Sequence, residues 1–512
     1  MMDRNRRPAR RRCAGVAFAA IAGLGGCDLA PTYQSPHYIL PASYHGLPPF
    51  GVARPLDTLP RGPWWQRLHD PLLDRLEQRL TAENPDLAAM AEEYTQARDL
   101  AAEARAGLLP QVGVNGMVSA NKQSRHRVFR SPTSTAPNYG QSNEVAAAAS
   151  WEPDFWSQIR NATRMQKRLA QVSAAALATA QLSLQTELAD DYITLRGLDA
   201  DEAVYRSSIA YYAQAVHITQ QRLQGRIASA LDVARAEGQL ASTQALENSV
   251  VASRAVMQHA IAVLVGSDPI SFSIPATEDL QLGVPDVPVG VPSGLLQRRP
   301  DIAGAERQMA AANAGIGVSR AAFYPNVTLS VTGGFQDTGL NLFNIPNSLW
   351  TIGASAALPI FEGGLRHAEL QKSWSQYAQA RDSYRATVLS AFQEVEDGLA
   401  LTTSLHAQAQ DQARAVADAH KAETLSMQLY IGGLIDYLNV VVAQETELTA
   451  RIAQVQVQAS RLQASVDLIA ALGGGWSTED LPAEDRILPL DKTNYEHQPQ
   501  MQLDANAAPS PP

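Results

Sequence analysis

Aromatic side chains are scarce in this 512-residue chain: they make up 6% of it, although hydrophobic residues reach 45% and much of that share is alanine. Such a composition suits long, closely packed helices better than a bulky globular core. Thiols are scarcer still. Cys13 and Cys27 both lie at the N-terminus, so no thiol in the body of the chain can form a disulfide, ligate a metal or act as a nucleophile. The ten histidines are scattered, with no HExxH, CxxC or GxSxG. Gly473-Gly474-Gly475 is not followed by GK[ST], so it reads as a helix stop rather than a phosphate loop. Glu187, Asp190 and Asp191 share one helical segment and read as solvated surface. No enzyme, cofactor or metal centre is expected, and nothing here binds nucleotide. There is no basic excess either, since the formal net charge is −10, which argues against nucleic acid as a partner.

Basic residues do concentrate in one place. MMDRNRRPARRRC carries six arginines and one aspartate, and the apolar stretch AGVAFAAIAGL follows it. Those 11 residues are too few to cross a bilayer, which takes about 20, but they suit the core of a signal peptide. The stretch runs into Leu24-Gly25-Gly26-Cys27, which resembles the bacterial lipobox. Cleavage before Cys27 and acylation of its thiol are therefore expected. Residues 1–26 would be the signal, and their removal leaves 35 basic against 50 acidic residues, near −15.

The body of the chain is duplicated. NPDLAAMAEEYTQARDLAAEARAGLLPQV (84–112) aligns with RPDIAGAERQMAAANAGIGVSRAAFYPNV (299–327) at an offset of 215. Pro85, Asp86, Arg105 and Pro110 return there as Pro300, Asp301, Arg320 and Pro325. WEPDFWSQIRNA (151–162) recurs as LPIFEGGLRHA (358–368) at an offset of 206, and Gly266 returns as Gly473, 207 later. The second copy is thus shorter between its two strands, where loops tolerate length change.

Each copy reads the same way. A helix opens at Pro85 or Pro300 and stops before Pro110 or Pro325. Then comes an alternating strand, QVGVNGMVSA or NVTLSVTGGF, followed by a polar loop over 121–142 or 337–348. A second alternating strand carries Val145, Ala147, Ala149 and Trp151, or Trp350, Ile352, Ala354, Ala356 and Leu358. Beyond it proline is absent from Pro153 to Pro269 and from Pro359 to Pro482. A helical stripe fills the first gap, as at Met165, Leu169, Val172, Ala176 and Ala180. A glycine turn interrupts each gap, at Gly225 and at Gly432-Gly433. Ser157 to Leu223 spans 67 residues, roughly 100 Å of helix at 1.5 Å per residue. A very long helical hairpin is expected in each copy.

Four amphipathic strands of about ten residues have the length of tilted transmembrane strands. They are too few to close a barrel, and an open sheet in lipid leaves unsatisfied edges at several kcal/mol per group. Other copies of the chain must complete the wall. Three copies give twelve strands; two give eight, which leaves little lumen.

Residues 292–329, PSGLLQRRPDIAGAERQMAAANAGIGVSRAAFYPNVTL, resemble the signature of the outer-membrane efflux family, the TolC-like outer-membrane factors. The strongest matches are Arg298-Arg299-Pro300-Asp301-Ile302, Glu306, Ala312-Asn313-Ala314, Ile316-Gly317 and Phe323-Tyr324-Pro325. WWQRLHDPLLDRL, LPIFEGG and CDLAPTYQSP resemble further family motifs, and coverage runs from about Cys27 to Trp476. The lipobox points to the lipoprotein branch that serves resistance-nodulation-division pumps. The resemblance implies a mainly α fold with a β-barrel part: tandem helical hairpins forming a periplasmic α-barrel, and four strands per chain of a twelve-stranded barrel shared by a homotrimer. It implies residence in the bacterial outer membrane, lipid-anchored and extending into the periplasm, with a periplasmic adaptor and an inner-membrane pump as partners. In enteric lipoproteins an aspartate placed like Asp28 tends to retain the protein in the inner membrane. Outer-membrane residence is expected nonetheless, either by another sorting rule or because barrel insertion overrides the anchor.

On this reading the chain divides into a signal (1–26), a lipidated segment with a first short helix (27–83), repeat 1 (84–268), a linker (269–298), repeat 2 (299–475) and a tail (476–512) whose end, DANAAPSPP, is expected to be disordered. The expected function is a passive, gated duct for small molecules such as drugs or other toxic compounds. A protein-secretion duct of the same fold and a non-conducting coiled-coil envelope lipoprotein are the alternatives. In the family the hairpin tips form the closed periplasmic end and dock the adaptor, which implies docking at Gly225, Ser229, Leu231, Gly433 and Leu438. Asp436 would recur three times in a trimer and make a negative ring at the aperture; as a bare turn residue it would cap a helix instead. Arg222 and Arg226 are its candidate partners. Tyr437, with Leu434 and Leu438, would supply the apolar alternative for closing the aperture.

Overall fold

The computed structural model describes residues 27–36, 63–124, 126, 131, 135, 137–280, 282–285 and 292–487. The expected signal and the DANAAPSPP end lie outside the described residues. A single helical turn at Trp64–Leu68 precedes α1 (Pro71–Glu83) and α2 (Pro85–Ala106). The first repeat continues through β1 (Gln111–Lys122), β2 (Tyr139–Trp151), α3 (Gln158–Gln224) and α4 (Ala230–Leu264). A short α5 (Pro292–Arg298) leads into the second repeat: α6 (Pro300–Ala321), β3 (Asn326–Asp337), β4 (Ser348–Ala357), α7 (Leu365–Ile431) and α8 (Tyr437–Ala471).

Two hairpins dominate. Their long arms, α3 and α7, are 67 residues each, and their returning arms, α4 and α8, are 35 each. Among the described residues, no helix is long and apolar enough to cross a membrane. The arms are held by buried small and aliphatic side chains. Leu188, Ile193 and Leu195 of α3 pack with Leu73 and Leu80 of α1, Ile261 of α4 and Val466 of α8. In the second repeat Ile302 of α6 and Val388, Val395 and Leu399 of α7 meet Leu468 of α8.

The same joint closes both hairpins. Gly266 (φ 66°) follows α4 and Gly473 (φ 97°) follows α8. A Cβ there would lie 2.4 Å from the Glu83 carbonyl oxygen or 2.0 Å from that of Arg298, so only glycine fits the left-handed turn. Next to each joint a side chain caps the end of the returning arm. Asn84 Nδ2 donates to the Leu264 carbonyl (2.8 Å), and Arg299 Nη1 donates to that of Ala471 (3.0 Å).

The four strands form one antiparallel sheet in the order β1-β2-β3-β4, leaving β1 and β4 as its edges. Register sorts its two faces. One carries Val112, Val114 and Val118, then Val145, Ala147, Ala149 and Trp151, then Leu329, Val331 and Phe335, then Trp350 and Ile352. The other carries Asn115, Ser119, Ser142, Thr328, Ser330, Thr332, Gln336, Thr351 and Ser355. Both strand pairs run further than the alternation suggested. β1 reaches Lys122, β2 starts at Tyr139, and β3 reaches Asp337, so the loops are shorter than 121–142 and 337–348. Ladder hydrogen bonds need no apolar face, and the polar rim pairs all the same; Lys122 Nζ sits 5.4 Å from the ring of its cross-strand partner Tyr139.

The start of the tail is ordered. Ile487 is fully buried against Ala101 and Ala170, Gln171 Nε2 donates to the Pro482 carbonyl (2.9 Å), and Arg168 pairs with Glu484 (2.9 Å). Residues 476–487 thus clamp α2 to α3.

Candidate functional site

The hairpin tips are the same turn built from different side chains. In both, the helix runs into an αR glycine, Gly225 or Gly432, and the next residue turns left-handed: Arg226 (φ 56°) or Gly433 (φ 73°). The following N–H reaches back to a helix carbonyl, Ile227 to Arg222 (2.8 Å) and Leu434 to Leu429 (2.9 Å). The returning helix then starts at Ser229 or Asp436. Ser229 Oγ accepts from the Asp232 N–H, and the Asp232 carboxylate accepts from the Ser229 N–H, a complete capping box. Asp436 takes the same backbone position, yet its side chain makes no capping bond and stays exposed. The turn-residue reading is thus half right: Asp436 occupies the cap but does not cap.

Arg222 does not meet Asp436 within the chain. Its Nη1 donates to the Ile431 carbonyl at the end of α7 (2.8 Å), and its guanidinium lies 4.8 Å from the centre of the Tyr430 ring. A cation on a helix C-terminus is favourable, so Arg222 ties the first tip to the second. Arg226 is exposed, and so are Gly225, Ser229, Leu231, Gly433 and Leu438. Tyr437 is buried instead, its ring edge-on to Tyr430 at 5.0 Å within a layer of Ala215, Ala236, Met427 and Val440. Tyr430 and Glu423 escaped the sequence reading; the aromatic pair flanking Gly432-Gly433 was the available signal.

Behind that layer lies a buried polar group. Glu423 of α7 and Gln444 of α8 are almost fully buried. Burial pushes the Glu423 carboxyl up, and hydrogen bonding with Tyr211 and Gln444 only partly offsets it.

At the opposite end of the helices, residues 27–36 form a strap. The exposed Cys27 is followed by Asp28, whose carboxylate accepts from Asn161 Nδ2 (3.0 Å) and Arg164 Nη1 (3.0 Å) on α3. Burial alone would raise Asp28, but the bonds from Asn161, the Ala30 N–H and Arg164, with the arginine charge, hold it below the usual carboxylate range. The next residues grip α6. Arg320 Nη1 donates to the Leu29 carbonyl (3.1 Å), Asn313 Nδ2 to that of Pro31 (2.8 Å), and Tyr33 donates to Glu306. Ala30 packs over Gly317, where a Cβ would come within 2.8 Å of its methyl.

The acids of α3 are less solvated than expected. Glu187 is exposed, but Asp190 and Asp191 are half-buried. Burial, with Asp467 of α8 and Asp191 nearby, pushes Asp190 up to about 7. Burial next to Glu187 pushes Asp191 up to about 6. Packing of α8 along α3, which no local pattern announces, makes the difference. Among the described residues no group of three His, Cys, Asp or Glu could hold a metal ion.

Comparison with known proteins gives one consistent result. The family model described as outer membrane efflux protein matches residues 76–267 and 291–474. The pyoverdine export outer membrane protein OpmQ of Pseudomonas aeruginosa is 30% identical over 460 residues, 89% of this chain and 95% of that one. The toluene efflux pump outer membrane protein TtgC of Pseudomonas putida is 30% identical over 461 residues, 88% of this chain and 93% of that one. Among solved structures, the outer-membrane channel OprN superposes with a TM-score of 0.80 at 26% identity, covering 88% of this chain and all of OprN.

Proposed function

Since the chain belongs to the outer membrane efflux protein family, we propose that three copies of it form the outer-membrane duct of an efflux system. One observation carries this reading. A four-stranded sheet with one apolar face, one polar face and two open edges grows from helical arms of roughly 100 Å. The apolar face suits lipid and the polar face suits a watery lumen. Edges left open in lipid are too costly to persist, so β1 of one copy pairs with β4 of the next. The hairpins then line a tunnel through the periplasm, and Trp151, at the helix end of β2, sits at one rim of the lipid-facing band.

The duct is passive. Its energy comes from an inner-membrane pump of the resistance-nodulation-division type, reached through a periplasmic adaptor that docks at the exposed tips. The cargo is small organic molecules, in keeping with the pyoverdine and toluene named for the relatives. Cys27 carries the lipid: the strap, tied through Asp28 to Asn161 and Arg164 and through Leu29 to Arg320, leaves it exposed at the sheet end of the helices. Three copies of the uncapped Asp436 narrow the closed tip as a ring of negative charge.

Purified protein in planar bilayers should conduct, and in detergent it should run as a trimer. A stable monomer that keeps its strand content, or a trimer without conductance as expected of a coiled-coil spacer, would sink the duct. For the anchor, a palmitate analogue should label wild type and not Cys27→Ser.

A further inference from the structure

Charge is almost absent from the sheet. Over its four strands the charged residues are Lys122 and Asp337, at strand ends, and Glu144. The two end charges serve the rim. Lys122 stacks on Tyr139, and the Asp337 carboxylate accepts from the Thr338 and Asn341 N–H groups (2.8 and 3.2 Å). Glu144 sits near the middle of β2 and has no such duty. Its cross-strand neighbours are Met117 on β1 and Gln336 on β3, and it shares its face with Ser142, Thr332 and Ser119, the polar side of the sheet. Among the described residues it makes no ion pair, and it is not fully buried.

We propose that Glu144 determines the charge preference of the outer half of the duct, favouring cationic and zwitterionic solutes over anions. The proposal rests on the trimeric duct reading, which turns one carboxylate into a ring of three on the lumen side. Twelve strands about 4.8 Å apart and tilted about 40° give a barrel of radius about 12 Å, and with each side chain reaching about 3 Å inward the three carboxylates stand about 16 Å apart. That is too far to chelate one ion together. It also exceeds the Debye length of about 8 Å at 0.15 M salt, so each acts on its own sector of the lumen. A dilute solution, with a Debye length of about 30 Å at 0.01 M, lets the three fields merge. Glu144 therefore filters by charge and leaves size selection to the tips. Acidic groups at both ends, Glu144 in the barrel and Asp436 at the aperture, would give anionic cargo an unfavourable path throughout.

The test places a potassium chloride gradient across bilayers holding the trimer, with the dilute side facing the barrel. Wild type should prefer potassium. Glu144→Gln should lower the potassium-to-chloride permeability ratio about twofold or more, Glu144→Lys should invert the preference, and both differences should vanish near 1 M salt, where the Debye length is about 3 Å. Glu144→Cys guards against a folding artefact. A sulfonate-bearing thiol reagent should return it toward wild type and a trimethylammonium-bearing one toward the lysine variant, with treated wild type controlling for Cys27. Equal low-salt reversal potentials in all variants, or equal effects of the two reagents, would remove Glu144 from selectivity while leaving the duct intact. No conductance from wild type would remove the duct reading and this proposal with it.

Discussion

The two hairpins share their arm lengths, turn and closing joint, and differ in where their charges are spent. The first repeat carries a buried ionic brace. Its tip is closed by the Ser229 capping box, and lower down Arg196 and Arg254 grip a fully buried Asp199, which also accepts from the Thr277 N–H. Arg196 further donates to Tyr192, whose hydroxyl donates to Asp70. At an offset of 207 the second repeat holds Leu399, Thr403 and His406 in place of Tyr192, Arg196 and Asp199. Its tip offers an uncapped Asp436 and a helix end that the first repeat caps with Arg222. Duplication kept the backbone and let the chemistry divide: the first hairpin is braced by buried charge that reaches Asp70 and Thr277, and the second has no such charge at the matching positions.

Removing the brace at its centre should have the largest effect. Asp199→Ala leaves the buried Arg196 and the half-buried Arg254 without their shared counter-charge and should cost about 3–5 kcal/mol, read as loss of helical signal on thermal unfolding. His406→Ala, its counterpart on an exposed face, should cost a few tenths of a kcal/mol, as surface changes do. Equal effects would dissolve the comparison. Next comes the bridge between tips. Arg222→Ala removes a charged cap and a cation–π contact, together about 2 kcal/mol, and resting conductance in bilayers should rise. Unchanged conductance would mean the tips hold shut without it.

Smaller effects sharpen the contrast. Ser229→Ala should cost about 1 kcal/mol by opening the capping box. Asp436→Ala should barely alter stability, since its side chain caps nothing, but should raise conductance. An equal loss of stability in both would show that Asp436 caps after all. The smallest is a pH effect. Unfolded, Asp190 ionises near its ordinary 3.8; folded, it does so at about 7. Between those values the folded chain keeps a proton that the unfolded chain has lost, so stability falls as pH rises through the window and is lowest above 7. Asp190→Asn should therefore raise the melting temperature by about 2 °C at pH 8 and change little at pH 4. Asp397→Asn, at the exposed counterpart, should change neither.

Much of this was legible beforehand, for identifiable reasons. Without proline between Pro153 and Pro269, and with a glycine turn to end it, α3 had one length available, and it is 67 residues. Period-two alternation located all four strands, but their polar ends at Lys122, Tyr139 and Asp337 carry no such pattern and were read as loop. At the tips the position of Asp436 could be read and its missing bond could not. Where Arg222 goes depends on how α3 lies against α7, which is a tertiary fact. The same holds for Asp190, buried by a helix that begins some 250 residues later in the chain. The strap was the least visible part, because CDLAPTYQSP has no periodicity and its partners are far away in sequence.

That distance sets an order of events. Tyr33 and Glu306 are 273 residues apart, and Leu29 and Arg320 are 291 apart. At a synthesis rate of about 5–20 residues per second, the second wall of the strap's groove emerges roughly 15–60 s after Cys27 does. Closing so long a loop is also entropically late, since it rewards nothing until both walls are folded. With Cys27 acylated as proposed, the lipid enters its membrane on a loose leash, and the buckle fastens only once the second repeat has arrived.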